Sequence, residues 1–306
     1  MKLKVHELQK NKLFSVSKKY LLLLLVAVLW SCAPEADQPK PVAAAQYLNV
    51  AYGDDPEQTY DVYLPAQRSA ATKIVFLVHG GGWISGSKED MIYLVQFMKL
   101  QFPQYAIVNL NYRLATTTSP AYPKQINDVA AAVAHAGSHY GLSKDYGFIG
   151  TSAGGHLSML YAYKMDPAQR VKMVCNVVGP SDFNDPSYLG TPVQSEYLPY
   201  IGSELTPAYL SEISPITYVN AQSAPTIQFM GNTDPLVPAT QGQRLEDKLD
   251  SFGVANEFNI YQASHGDFNV ADSQDIFGRL SIFLKQHFQT YRHKQPNRLI
   301  FQNNCA

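Results

Sequence analysis

The sequence FIGTSAGGH, at residues 148–156, is the stretch on which the interpretation of the chain depends. An apolar run stops at the pentapeptide GTSAG, and a helical pattern of apolar residues starts directly after it. So sharp a turn between strand and helix leaves no room for side chains two residues before or after the serine, and Gly150 and Gly154 meet that demand. The pattern predicts that Ser152 projects from the end of a strand. An ordinary turn rich in Gly and Ser is the alternative, because the pentapeptide alone is common.

Strand-like and helix-like patterns alternate on both sides of this turn. The continuous apolar runs at 73–79 and 106–112 are typical of strands that are buried on both faces. Further strands are predicted at 47–52, 57–64, 172–178, 226–230 and 257–261, and helices at about 88–101, 124–140, 239–252 and 271–288. This alternation predicts an α/β fold, with a mostly parallel central sheet covered by helices on both faces. In such sheets, reactive groups gather beyond the carboxyl ends of the strands.

Residues 180–222 break the alternation with six prolines and five tyrosines. A long irregular insertion in a compact α/β domain is usually functional, often as a lid or a pocket wall. We therefore expect this insertion to lie over the active site, where Trp83 and Tyr112 supply further pocket walls. The alternative is a solvent-exposed decoration without a role in binding.

A reactive serine needs a base and a group that orients the base. Of the eight histidines, His265 lies in a loop after the predicted strand 257–261, where its ring can reach a neighbouring strand end. Asp234 follows the predicted strand 226–230 in the same way. Each of these two residues by itself also has a non-catalytic explanation, because loop histidines are often solvated and an aspartate before proline often forms a turn. Ser152, Asp234 and His265 at three successive strand ends nevertheless predict a catalytic triad, while His156, on the helix after the turn, is expected to pack.

The motif HGGGW at 79–83 predicts the backbone N–H donors that a reaction of a serine nucleophile at a carbonyl group requires. Glycines let backbone N–H groups approach a substrate oxygen without a side chain in the way. Gly81 and Gly82, with the N–H of Ala153, are expected to form an oxyanion hole. We expect His79 to brace this loop rather than to act as the base.

These motifs resemble those of hormone-sensitive-lipase-like carboxylesterases in the α/β-hydrolase superfamily, and are similar to bacterial feruloyl or acetyl esterases. The resemblance covers about residues 47–288 and rests on HGGGWISGSK (79–88), NYRL (111–114), GTSAGG (150–155), SPI (214–216), DPLVP (234–238) and HG (265–266). It implies the α/β-hydrolase fold, whose triad has the chain order Ser, Asp, His.

The resemblance implies hydrolysis of short-chain or aromatic acyl esters, with acyl groups on carbohydrates among the expected substrates. Ser152 would be the nucleophile, His265 the base and Asp234 the group that orients it, and no metal or cofactor is expected. Two alternatives stay open on these residues. One is an amide hydrolase, formamidase-like or peptidase-like, on the same triad. The other is a non-catalytic binding protein on the same scaffold.

The N-terminal sequence predicts an export signal. Six lysines precede an apolar run of about eleven residues, against the roughly twenty that a membrane crossing needs. The sequence LWSC at 29–32 resembles the lipobox of bacterial lipoproteins, which implies a lipid anchor on Cys32 and an exported, membrane-anchored protein. An ordinary signal peptide with an incidental cysteine is the alternative. The expected organisation is a signal at 1–31, a flexible tether at 32–46, one domain at 47–290 and a polar tail at 291–306.

Removing residues 1–31 takes away six Lys and one Glu, which leaves 18 basic and 24 acidic residues and a net charge of −6. A mildly acidic chain without a basic cluster argues against nucleic acid as a partner. Cys175 lies in an apolar run and is expected to be a core residue; a disulfide with Cys305 stays open.

Overall fold

The structure is a computed structural model that describes residues 42–202 and 205–288. The predicted signal, Cys32, most of the tether, Cys305 and the tail at 291–306 lie outside these residues. Among the described residues, no helix combines the length and apolar character needed to cross a membrane.

Eight strands form one sheet, and their positions confirm the sequence prediction to within about two residues. They are β1 (Ala45–Ala51), β2 (Thr59–Leu64), β3 (Ile74–Val78), β4 (Ala106–Leu110), β5 (Tyr146–Thr151), β6 (Val171–Val177), β7 (Thr226–Gly231) and β8 (Asn256–Tyr261). Their order in the sheet is β1-β2-β4-β3-β5-β6-β7-β8. The pairs β1/β2 and β2/β4 are antiparallel, and the other pairs are parallel. The sheet is therefore mostly parallel, and the carboxyl ends of β3 to β8 share one edge.

Seven α-helices lie in the described chain. They are α1 (Ile92–Gln101), α2 (Lys124–His139), α3 (Ala153–Leu160), α4 (Leu198–Ile201), α5 (Pro207–Ile213), α6 (Thr240–Ser251) and α7 (Val270–His287). Apolar residues of β3 alternate between two cores: Phe76 and Val78 pack with α2, α3 and α6, whereas Val75 and Leu77 pack with α1 and α7. Helices thus cover both faces of the sheet, as predicted. Cys175, on β6, is fully buried as a free thiol.

The insertion at 180–222 is more helical than its composition suggested. It contains α4 and α5, together with short turns of helix at Pro186–Tyr188, Val193–Tyr197 and Pro215–Tyr218. Prolines occupy the first or second position of four of these elements. At that position the missing N–H would have no helical partner in any case, so proline starts a helix instead of breaking one.

The N-terminal edge of the domain begins earlier than predicted. The sequence predicts a flexible tether up to residue 46, yet β1 starts at Ala45 and pairs with β2. Before it, the carbonyl oxygens of Val42 and Ala43 accept hydrogen bonds from Gln67 N and the Arg68 guanidinium. These backbone bonds, which composition does not reveal, hold the segment on the domain.

Candidate active site

Ser152 lies between β5 and α3 in a strained conformation. Its φ of 49° and ψ of −119° are unusual for a residue with a side chain. A Cβ on Gly150 would lie 2.3 Å from the carbonyl oxygen of Gly154, and a Cβ on Gly154 would lie 2.1 Å from that of Val78. Both glycines are therefore required by close packing of backbone, as the sequence predicted, and the turn exposes Ser152 at the edge of the sheet.

The structure brings Ser152, His265 and Asp234 together. Ser152 Oγ donates to His265 Nε2 at 2.9 Å, and His265 Nδ1 donates to Asp234 Oδ2 at 2.7 Å. Because the carboxylate accepts the N–H of Nδ1, the neutral ring keeps the lone pair of Nε2 directed at the serine hydroxyl. The arrangement can remove the hydroxyl proton and stabilise the imidazolium that results.

Asp234 is fixed by its own loop. Its side chain is fully buried, and Oδ1 accepts hydrogen bonds from the N–H groups of Leu236 (2.8 Å) and Val237 (2.9 Å). These two bonds set the orientation of the carboxylate. One detail of the sequence reading was wrong: the three residues do not follow successive strands, since β6 lies between β5 and β7. The insertion follows β6, and therefore leaves the sheet between the strands that precede Ser152 and Asp234.

The glycine loop lies beside the serine. A Cβ on Gly80 would be 3.1 Å from the Cβ of Ser152. Gly81 and Gly82 have φ values of +109° and +58°, and added Cβ atoms would meet Ser85 O at 2.0 Å and Tyr197 Cε1 at 2.3 Å. Within residues 42–202 and 205–288, the N–H groups of Gly81, Gly82 and Ala153 donate to no other group. Their role as oxyanion donors stays a prediction, for which the geometry leaves three N–H groups available.

Tyr112 does not line the cavity, contrary to our expectation. It is 1% exposed, stacks on His79 at 4.2 Å, and donates its hydroxyl to the His79 carbonyl at 2.8 Å. His79 Nδ1 in turn lies 2.7 Å from the Gly80 carbonyl, and burial lowers the pKa of His79. Tyr112 is drawn inward because its hydroxyl has a main-chain acceptor there. It braces the glycine loop from behind, together with His79.

A cavity of about 290 Å³ opens onto Ser152, His265, Gly81 and Gly82. Seven apolar side chains form most of its wall: Trp83, Ile84, Pro180, Val193, Tyr197, Leu236 and Val237. Val193 and Tyr197 come from the insertion, and Trp83 is where the sequence placed it. Sequence reasoning missed Ile84, Leu236 and Val237, although each lies within three residues of a predicted site residue. Two larger surface clefts, of about 440 and 460 Å³, contain neither Ser152 nor His265.

No Asp, Glu, Lys or Arg of the described chain lines this cavity. Across the same described ranges, no group of three or more His, Cys, Asp or Glu side chains is arranged to hold a metal ion. The cavity therefore presents an apolar wall, one imidazole, the serine side chains of Ser85 and Ser152, and the glycine loop to a ligand.

Comparison with known proteins places the chain in a family. The BD-FAE family model matches residues 60–249. Esterase LipC of Mycobacterium tuberculosis is 27% identical over 256 residues; the match covers 73% of this chain and 61% of LipC, so the chain spans less than two thirds of that relative.

Solved structures share the fold. The bifunctional GH43-CE protein of Bacteroides eggerthii has a TM-score of 0.64 and 25% identity, over 79% of this chain and 38% of that one. A truncated carbohydrate esterase from gut microbiota has a TM-score of 0.66 and 20% identity, over 81% of this chain and 98% of that one. These structural likenesses confirm the α/β-hydrolase fold. The family-model and LipC matches confirm the resemblance to hormone-sensitive-lipase-like esterases that was inferred from the motifs. The chain belongs to the BD-FAE family.

Proposed function

We propose that this protein is a serine carboxylesterase that works through an acyl-enzyme. The observation that carries the proposal is the chain of hydrogen bonds from Ser152 through His265 to Asp234 at the base of an apolar cavity. Esterase relatives such as LipC support it. A nucleophile, a base and an orienting carboxylate in contact are the minimum that acyl transfer requires.

The reaction proceeds in two halves. Ser152 Oγ bonds to the acyl carbon as His265 Nε2 takes its proton, and the carbonyl oxygen becomes an oxyanion that the N–H groups of Gly81, Gly82 and Ala153 stabilise. The tetrahedral intermediate then breaks its bond to the alcohol, which leaves with the proton from His265. Water attacks the acyl-enzyme as His265 again takes a proton; the second tetrahedral intermediate then breaks its bond to Ser152 Oγ, which receives that proton from His265 as the carboxylic acid is released.

The cavity favours neutral acyl groups that are short or aromatic. Its wall offers apolar contact but no cation to pair with an acyl carboxylate. Trp83 and Tyr197 can pack against an aromatic ring. On the alcohol side we propose carbohydrate, since two structural neighbours are named as a GH43-CE protein and a carbohydrate esterase.

The direct test is covalent labelling of the full-length protein with a fluorophosphonate, together with hydrolysis of p-nitrophenyl acetate and p-nitroacetanilide. We expect one adduct, on Ser152, rapid ester hydrolysis and slow amide hydrolysis. Ser152→Ala should lose the adduct, whereas Ser195→Ala, at an exposed serine of the insertion, should keep it. Faster amide hydrolysis would indicate an amide hydrolase. Absence of both labelling and turnover would indicate a binding protein.

We also propose that the protein is exported and anchored through a lipid on Cys32. The support is the basic and apolar N-terminal sequence that ends in LWSC. Full-length protein should then partition with membranes, and Cys32→Ser should release it or block its processing. Mass spectrometry of the mature N-terminus decides the matter: an unmodified residue other than Cys32 would contradict the proposal.

A further inference from the structure

Trp83, in the wall of the cavity, has an unfavourable backbone conformation. Its φ is +67°, a region that bulky side chains rarely occupy. The surroundings hold it there: its carbonyl oxygen accepts hydrogen bonds from Ala115 N at 2.8 Å and Gln125 Nε2 at 2.7 Å. Since Trp83 directly follows Gly82, whatever fixes Trp83 also fixes one end of the glycine loop that carries two of the predicted oxyanion donors.

The indole of Trp83 is held by a second buried group. Its Nε1 donates to His156 Nδ1 at 3.2 Å, and the two rings meet edge to face at 5.5 Å. The other nitrogen of the imidazole, Nε2, donates to the carbonyl oxygen of Ile213 at 2.8 Å, at the end of α5 in the insertion. Trp83 and His156 are 4% and 2% exposed. Three segments of the site thus meet at one imidazole: the glycine loop, the helix after Ser152 and the insertion.

Both nitrogens of His156 are used in these two bonds, so the ring is neutral with its proton on Nε2. A neutral ring with no free nitrogen cannot serve as a base for Ser152. A side chain that only filled space would not need a donor and an acceptor in these positions. In the interior, an unmade bond to either partner would leave a buried polar group unsatisfied.

We propose that His156 is a positioning residue, which holds Trp83 and the adjoining glycine loop in register with Ser152 and fastens both to the insertion. The inference rests on the proposed esterase function. His156 is not itself in contact with substrate. It acts through Trp83 on the oxyanion donors and through Ile213 on the insertion at 180–222, which forms part of the cavity wall.

Two substitutions separate the two bonds of His156. Asparagine places an amide oxygen near the position of Nδ1, so His156→Asn can still accept from Trp83 but cannot reach Ile213. Glutamine places an amide nitrogen near the position of Nε2, so His156→Gln can still donate to Ile213 but leaves the indole N–H without its acceptor. The matched control is His135→Gln on α2, whose histidine pairs with Tyr60 away from the site.

We expect opposite kinetic signatures from the two variants with p-nitrophenyl acetate. His156→Gln should lower kcat by about 10- to 100-fold with little change in KM, since displacing an oxyanion donor costs less than removing one, which is worth about 10²- to 10³-fold. His156→Asn should keep kcat within about threefold of wild type and raise KM. The insertion at 180–222 loses its bond to His156, while the oxyanion donors stay in place. His135→Gln should change neither.

A spectroscopic readout tests the anchoring without reference to activity. The chain has two tryptophans, Trp30 and Trp83, so Trp30→Phe in the full-length chain leaves Trp83 as the sole tryptophan, whose band extends to longer wavelength than those of the tyrosines. Its near-UV circular dichroism should be retained in His156→Asn and lost in His156→Gln. This result would hold even if Ser152→Ala showed the proposed esterase function to be wrong.

A double-mutant cycle completes the test. Trp83→Phe keeps a ring in the wall but removes the N–H, so it should lower kcat about as much as His156→Gln. The two together should cost no more than either alone, because they break the same bond. Equal kcat values for His156→Asn and His156→Gln, or additive losses in the cycle, would overturn the proposal.

Discussion

Two histidines near Ser152 show how surroundings decide what a side chain can do. His265, in the loop after β8, is 21% exposed in its side chain and lies between a hydroxyl and the carboxylate of Asp234. His156, in the first turn of α3, is buried between an indole N–H and a main-chain carbonyl, and burial lowers its pKa to about 4.

The difference teaches what a base requires besides a nitrogen. When a base takes a proton it becomes an imidazolium, which must be stabilised by an anion. Asp234 is in place to stabilise His265. In the part of the chain that the structure describes, no carboxylate is bonded to His156, whose neighbours are Trp83, Phe183 and Ile213. Nearness to Ser152 along the chain would have favoured His156, whereas the three-dimensional surroundings favour His265.

The largest effect should come from removing the base itself. We expect His265→Ala to lower kcat by about 10³-fold or more, and Ser152→Ala to do the same, because the triad acts as a unit. Asp234→Asn should cost somewhat less. Steady-state kinetics with p-nitrophenyl acetate, with unfolding midpoints as the control for folding, checks this. Near-normal activity of Ser152→Ala would contradict the assignment.

The next effect concerns stability and pH at His156. The unfolded chain binds a proton on this histidine below about pH 6.5, whereas the folded chain excludes it down to about pH 4. The contribution to the free energy of unfolding is therefore complete above pH 6.5 and is lost as pH falls toward 4. It amounts to about 3 kcal/mol, from about 1.36 kcal/mol for each unit of pKa.

Denaturant unfolding from pH 7.5 to 4 gives the free energy of unfolding at each pH. The contribution of His156 is the difference between wild type and His156→Asn in how steeply that free energy falls with pH. Buried or half-buried His79 and His287 also have lowered pKa values, so the wild-type curve contains more than one histidine and only the difference isolates His156. Identical pH dependence in both proteins would mean that His156 binds a proton equally well in the folded and the unfolded chain, which would contradict this prediction.

A third effect concerns the wall that His156 holds. In a cavity of about 290 Å³, each added methylene of the acyl chain stabilises by about 0.8 kcal/mol only while there is surface to receive it. We expect kcat/KM for p-nitrophenyl esters to be highest from acetyl to butyryl and to fall beyond about C6, roughly tenfold for each 1.4 kcal/mol lost. Trp83→Ala should move the optimum to longer chains. A wild-type maximum at C10 or above would indicate a lipase.

The smallest effect concerns a third histidine, His79, which braces the glycine loop with Tyr112. Tyr112→Phe removes the hydrogen bond to the His79 carbonyl and should lower the free energy of unfolding by about 1 kcal/mol. It should also lower kcat a few-fold by loosening the loop. Tyr163→Phe is the control, because it loses a buried hydroxyl bond to Thr226 away from the site and should change stability alone. Equal kinetics for both variants would contradict the bracing role.

Much of the fold and of the site could be predicted because the sequence patterns that determine them involve only a few neighbouring residues. The alternation of apolar runs and helical patterns placed the eight strands. Gly150 and Gly154 could be identified because backbone atoms would clash with any Cβ at these positions. Tyr112 was misplaced because its position depends on a distant partner, the carbonyl of His79. Leu236 and Val237 were missed although their turn is local, because no pattern in the sequence shows that this turn faces the cavity.

The sequence by itself determined the class of fold, the turn at Ser152 and the loops that carry Asp234 and His265, because periodicity and glycine sterics act over a few residues. The sequence also indicated His265 as the base; only the tertiary structure decided how its ring meets Ser152, which side chains line the cavity and what the insertion contacts. Those outcomes depend on burial and on partners more than a hundred residues apart, such as His265 and Ser152. Desolvation and hydrogen bonding, which no local pattern encodes, make His156 a buried neutral link and place His265 within reach of the serine.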